Sequence, residues 1–96
     1  MRVRFSARAR AEIDSIYSYI TEHNPTAAQR VKARIREVAE RLGDFPHMGR
    51  RTDRADVRVR TVSPFPYLIF YAIRDSDVLI LHIRHGARRP MSDSTE

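Results

Sequence analysis

Arginine and histidine are the residues that could do chemistry in this chain. Arg58 and Arg60 alternate along one stretch and His82 and Arg84 along another, with His85, Arg88 and Arg89 close behind. A guanidinium offers a planar fork of donors matched to phosphate and carboxylate oxygens, and it stays charged at physiological pH. Histidine adds a group that titrates near neutrality and can pass a proton. If both stretches are strands presenting these faces on one side, Arg58, Arg60, His82 and Arg84 form a positive cleft. His85, Arg88 and Arg89 then lie just past its end. The same alternation equally suits a solvated sheet face that carries arginine for solubility.

Other chemistries find no support. There is no phosphate-binding glycine loop, dinucleotide fingerprint, HExxH helix or nucleophile elbow. His82 and His85, three apart on a strand, point to opposite faces, and a tetrahedral metal site needs three or four convergent ligands. No metal and no cofactor are expected. Arg50, Arg51 and Arg54 are diluted by Asp53 and Asp56 and read as loop, while His23 and His47 sit beside turns as surface residues. Tyr17 reads as core, and Tyr67 and Tyr71, on one strand face, read as core with their hydroxyls at the rim.

Composition narrows the setting. Ninety-six residues allow one domain with a modest core, and the absence of cysteine excludes a disulfide framework. Eighteen Lys+Arg against twelve Asp+Glu give +6, and Lys32 is the only lysine. So basic a chain should associate with something acidic, nucleic acid or protein. The N-terminus lacks the apolar run of a signal peptide, and the longest apolar run, Tyr67 to Ile73, is too short to cross a bilayer. A cytoplasmic domain without a membrane partner is expected.

The elements that must hold these residues follow from periodicity. Val3 and Phe5 alternate with Arg2 and Arg4 as a strand. Ala9, Ile13, Ile16, Tyr17 and Ile20 form one helical stripe, ended at His23-Asn24-Pro25. Asn24 can cap a second helix with Pro25 in its first turn and Ala28, Val31, Ile35, Val38 and Leu42 as its stripe. Arg36/Glu40 and Glu37/Arg41 can pair on its outer face, and Gly43 is expected as its left-handed end. So short a link makes an αα-hairpin. Gly43 to Asp56 reads as loop. Val57 to Thr61, Tyr67 to Ile73 and Val78 to Arg84 read as an antiparallel meander, with a Ser63-Pro64-Phe65-Pro66 break and a turn at Arg74 to Asp77. The fold expected is α+β: an antiparallel sheet of about four strands with the N-terminal αα-hairpin packed on one face. Residues 1–90 form the domain, and 91–96 a polar tail that frays.

Two phrases within this order carry a resemblance: Pro66-Tyr67-Leu68-Ile69-Phe70-Tyr71, and Val78-Leu79-Ile80-Leu81-His82-Ile83-Arg84-His85-Gly86-Ala87-Arg88-Arg89. Together, from Val3 to about Pro90, the chain resembles the RelE/ParE superfamily of toxins from bacterial type II toxin–antitoxin modules. The resemblance implies a cognate antitoxin as partner, with which such toxins form hetero-oligomers, and the plasmid-stabilising role of such modules. Its RelE-like branch cuts messenger RNA on the ribosome, using basic residues and commonly a C-terminal tyrosine. Its ParE-like branch binds DNA gyrase and is not a nuclease.

Two departures from the RelE pattern favour the ParE branch. No tyrosine follows Arg88, and Ser63-Pro64-Phe65-Pro66 stands where an arginine is expected. The expectation is therefore a gyrase inhibitor without catalytic residues of its own. Arg58, Arg60, His82, Arg84, His85, Arg88 and Arg89 serve as its contact surface. In the alternative, a ribosome-dependent messenger-RNA endoribonuclease, Arg58, Arg60, His85 and Arg88 stabilise charge and transfer protons.

Overall fold

A computed structural model of the protein describes residues 1–86. The chain runs β1 (Arg2–Phe5), α1 (Ala7–Thr21), α2 (Pro25–Asp44), β2 (Arg50–Arg51), β3 (Arg58–Thr61), β4 (Tyr67–Arg74) and β5 (Asp77–His85). The expected α+β architecture with its helical hairpin is present. The polar tail, Arg88 and Arg89 lie outside the described residues.

Local chemistry explains both helix starts. The Ser6 hydroxyl oxygen accepts the Ala9 N–H at 3.0 Å, and the Asn24 side-chain oxygen accepts the Ala27 N–H at 3.0 Å, each satisfying an otherwise orphaned donor. Pro25 occupies the first turn of α2, where a missing N–H costs nothing. The α2 stripe Ala28, Val31, Ile35, Val38 and Leu42 is buried. On its outer face Arg34 bonds both Glu37, at 2.7 Å, and the Ser63 carbonyl, so Glu37 is drawn to Arg34 rather than to Arg41.

The sheet has five strands in the order β1-β5-β4-β3-β2. The expectation of about four antiparallel strands needs two corrections. β1 pairs parallel with β5, and β2 forms a two-residue strand inside the stretch read as loop. Two residues are too few to show alternation. Register then assigns the faces. Ile69, Tyr71, Val78, Ile80 and Ile83 pack under the helices with Ala9, Val31, Ile35 and Val38.

Gly43 differs from expectation as well. It lies within α2, and no described glycine has positive φ. Its absent side chain serves close approach: a Cβ there would stand 2.6 Å from the Met1 carbonyl oxygen and 2.9 Å from Val3 Cγ2. The Met1 amino group donates to the Gly43 carbonyl at 2.7 Å, docking β1 against α2. Tyr17 also departs from the core assignment. Half-buried between the helices, it accepts a hydrogen bond from Gln29 at 2.9 Å and carries Lys32 Nζ 4.8 Å from its ring centre.

Candidate functional site

Register decides which arginines meet. Arg58 stands opposite Tyr71 and Arg60 opposite Ile69, so both belong to the face that packs on the helices. His82 stands opposite Phe70 and Arg84 opposite Leu68, on the other face. The expected cleft combining all four side chains therefore does not form. Each pair does share a face along its own strand, but Val59 rather than Arg58 is the neighbour of Phe70. A shift of one residue exchanges the faces of a whole strand.

Arg58 and Arg60 are engaged with the chain between α2 and β2. Arg58 Nη1 donates to the Gly49 carbonyl at 2.8 Å and to the His47 carbonyl at 3.3 Å, while Arg60 Nη1 reaches the Met48 carbonyl at 3.5 Å. The same segment closes over Tyr71, whose hydroxyl donates to the Pro46 carbonyl at 2.7 Å and accepts the Gly49 N–H at 2.9 Å. Burial pushes the Tyr71 phenol above its ordinary value of 10.0. The Gly49 hydrogen bond and the charges of Arg58 and Arg60 act against that rise. Tyr71 is the core residue expected, but its hydroxyl is held by Pro46 and Gly49 rather than left at the rim.

A basic cavity does open on the face away from the helices. It has a volume of about 450 Å³, and Arg8, Arg54, Arg74, His82 and Arg84 converge there around Phe70. The His82 ring stacks on Phe70 with centroids 5.4 Å apart, and Arg84 Cζ lies 5.1 Å from the Phe70 centroid. Sequence reasoning assigned Arg54 to a loop and Arg74 to a turn, and passed over Arg8. For Arg74 a signal existed, since it continues the two-residue period of Leu68, Phe70 and Ala72. For Arg54 and Arg8 none did, because the folding of the Thr52–Val57 turn and the placement of α1 are tertiary facts. The cavity is only partly charged in net terms: Arg74 is bridged to Asp56 at 3.3 Å, and Arg8 to Glu12 at 3.0 Å.

His85 faces elsewhere. It meets the Tyr67 ring edge-on at 5.3 Å and lines a second cavity, of about 470 Å³, with Glu12, Ile16, Tyr19 and Ile83. His82 and His85 thus open onto separate spaces, as their spacing on the strand requires. Among the described residues no three His, Cys, Asp or Glu side chains converge on a common point. Among them too, no helix is long and apolar enough to cross a membrane.

An αα-hairpin on one face of a small sheet is the architecture that the resemblance to the RelE/ParE superfamily of toxins implied. A solved structure, the chromosomal ParDE TA system from P. aeruginosa, shares the fold with a TM-score of 0.80. It is 23% identical, and the match covers 88% of this chain and 95% of that one. Toxin RelE2 of Caulobacter vibrioides is 39% identical over 87 residues, 91% of this chain and 97% of the relative. Putative toxin Y4kP of Sinorhizobium fredii is 37% identical over 85 residues, 88% of each chain. Toxin ParE3 of Caulobacter vibrioides is 35% identical over 78 residues, 78% of this chain and 76% of the relative. The model of the ParE toxin of the type II toxin–antitoxin system parDE matches residues 3–90, and the chain belongs to that family.

Proposed function

We propose that this toxin acts by binding DNA gyrase, with no bond-making or bond-breaking of its own, and that a cognate antitoxin neutralises it by forming a hetero-oligomer. The observation that carries the reading is the separation of the groups a nuclease would need. Arg58 and Arg60, on β3, are turned to loop carbonyls, while His85 lies beside Tyr67 at the C-terminal end of β5, with β4 between the two strands. Phosphodiester cleavage needs a base, an acid and cations within reach of one phosphate. A contact surface needs no such convergence, and arginines are favoured anchors in one. Arg84 and His85, with Arg88 and Arg89, are the contact residues in this reading. The family model and the likeness to toxin ParE3 support the same branch.

The experiment is induction of the protein in cells without antitoxin, comparing DNA-damage signalling with translation arrest. Early DNA-damage signalling with continuing protein synthesis is the expected result. Immediate translation arrest with cleaved messenger RNA would replace this reading with the RelE-like ribosomal one.

A further inference from the structure

Several arginines of this chain are held by carboxylates. Arg4 is bridged to Asp77 at 2.9 Å, Arg8 to Glu12 at 3.0 Å, Arg34 to Glu37 at 2.7 Å and Arg74 to Asp56 at 3.3 Å. Lys32 and Arg10 are placed differently. Lys32 Nζ lies 4.8 Å from the centre of the Tyr17 ring, and Arg10 Nη2 donates to the Phe5 carbonyl at 3.3 Å. A ring face or a carbonyl orients a cation without cancelling its charge.

Both residues line one groove, of about 640 Å³, between β1 and the helical hairpin. Arg36 stands one turn beyond Lys32 on α2 and lines it too, while Val3, Phe5 and Ile13 supply apolar surface. Asp14 is the one acid among the described residues that line it. The cavity around Phe70 makes the contrast, since Asp53 lines it and its Arg8 and Arg74 are both bridged. Arginine and lysine placed for solubility alone need no common focus. Here Arg10, Lys32 and Arg36, from two helices, converge beside an apolar floor.

A ligand that matches carries negative charge at regular intervals, with flat apolar groups between. A single nucleic-acid strand does so in every nucleotide, with phosphates for the cations and base faces for an aromatic side chain. A duplex keeps its bases stacked inside and offers the floor nothing.

We propose that the groove between β1 and the helical hairpin binds single-stranded nucleic acid without regard to sequence. Arg10, Lys32 and Arg36 hold its phosphates, and a base rests against Phe5. No histidine is among the described residues that line the groove, so the strand is held there and not cut. β1 pairs with the first half of β5, which sets this surface apart from the Arg84 and His85 end of that strand. The inference does not depend on which target the toxin has.

The test titrates the purified full chain into a fluorescent oligothymidylate of about twelve nucleotides, a length such grooves span, at several salt concentrations. The triple variant Arg10→Gln/Lys32→Gln/Arg36→Gln should bind at least about tenfold more weakly, with a salt slope smaller by about 2, as three lost phosphate contacts require. Arg30→Gln/Arg50→Gln/Arg51→Gln removes the same charge from exposed positions elsewhere and should weaken binding less than about threefold. Phe5→Leu keeps apolar bulk without the ring and should weaken it about fivefold or more. Should Phe5→Leu fail to fold, the two charge triplets decide the matter, since all six positions lie outside the core cluster. Equal losses in the two triplets, tighter binding of a duplex of the same length, or equal displacement by polyglutamate of the same charge would each overturn the proposal.

Discussion

Glu12 and His82, 70 residues apart in sequence, meet with a carboxylate oxygen 2.8 Å from Nδ1. The other oxygen of Glu12 accepts the Ile83 N–H at 2.7 Å. β1 ends at Phe5, so β5 has no strand neighbour on that side beyond Ile80. Ser6 and Glu12 take over there, the Ser6 hydroxyl donating to the Leu81 carbonyl at 3.0 Å. Side chains of a cap and a helix thus complete the ladder where the strand stops. The same carboxylate lines the cavity that holds His85 and bonds His82, which lines the other.

Removing that clasp should open β5 locally. Glu12→Ala leaves the half-buried Ile83 N–H without its acceptor, at a cost of about 1–3 kcal/mol. Glu12→Gln keeps an acceptor and should lose less. Urea unfolding measures the difference, and in the alanine variant the Ile83 amide should exchange faster than amides of β4.

Tyr71→Phe tests the segment that Arg58 and Arg60 hold. The variant strands the Pro46 carbonyl and the Gly49 N–H, and stability should fall by about 1–3 kcal/mol. It should also alter the alkaline limit. The folded-state pKa of Tyr71 is raised, so the fold favours the neutral phenol. Its contribution is complete below the unfolded value near 10 and is lost as pH rises through the folded value. Thermal unfolding between neutral pH and pH 11, run on both proteins, should show a shallower alkaline decline for Tyr71→Phe.

Gly43→Ala should reverse the usual sign. In an exposed helix interior the exchange gains up to about 1 kcal/mol. Here the new methyl meets the Met1 backbone, which cannot swing aside like a flexible side chain. Overpacking of this kind costs about 1–3 kcal/mol. A lowered Tm, with faster amide exchange in β1 than in β3 or β4, is the expected outcome.

His85→Gln separates the two functional readings. Glutamine keeps much of the size and hydrogen bonding but cannot exchange a proton. As an interface residue, His85 can be replaced this way with toxicity largely intact, whereas Arg88→Ala with Arg89→Ala should weaken it through lost contacts. A proton-transfer role contributes about 10²–10⁴-fold. Loss of that size in a folded, antitoxin-binding variant would mark His85 as a catalytic residue.

Periodicity made the helices and the four longer strands legible, because each buries one stripe or one face. It also recognised that Arg58 and Arg60 share a face, as do His82 and Arg84. Alternation within a strand has no knowledge of the neighbouring strand, however, and the pairing of Val59 with Phe70 separates the two couples. A register irregularity at Phe70/Tyr71 further uncouples β5 from simple counting. The parallel match of β1 to β5 has no local signature either. Arg54 and Arg8 reach the basic cavity through a turn and a helix placement that depend on the whole fold.

The pairing of β1 with β5 also bears on how the protein is made. Arg2 pairs with Asp77, so the first strand leaves the ribosome 75 residues ahead of its partner. At roughly 5–20 residues per second that is a wait of about 4–15 seconds. The helical hairpin and the β3–β4 pair can form meanwhile from near neighbours, whereas contacts so distant in sequence slow folding. Val3 and Phe5 lack their strand partner until β5 has been made. The β1–β5 pair therefore closes the sheet only after every other strand has been made.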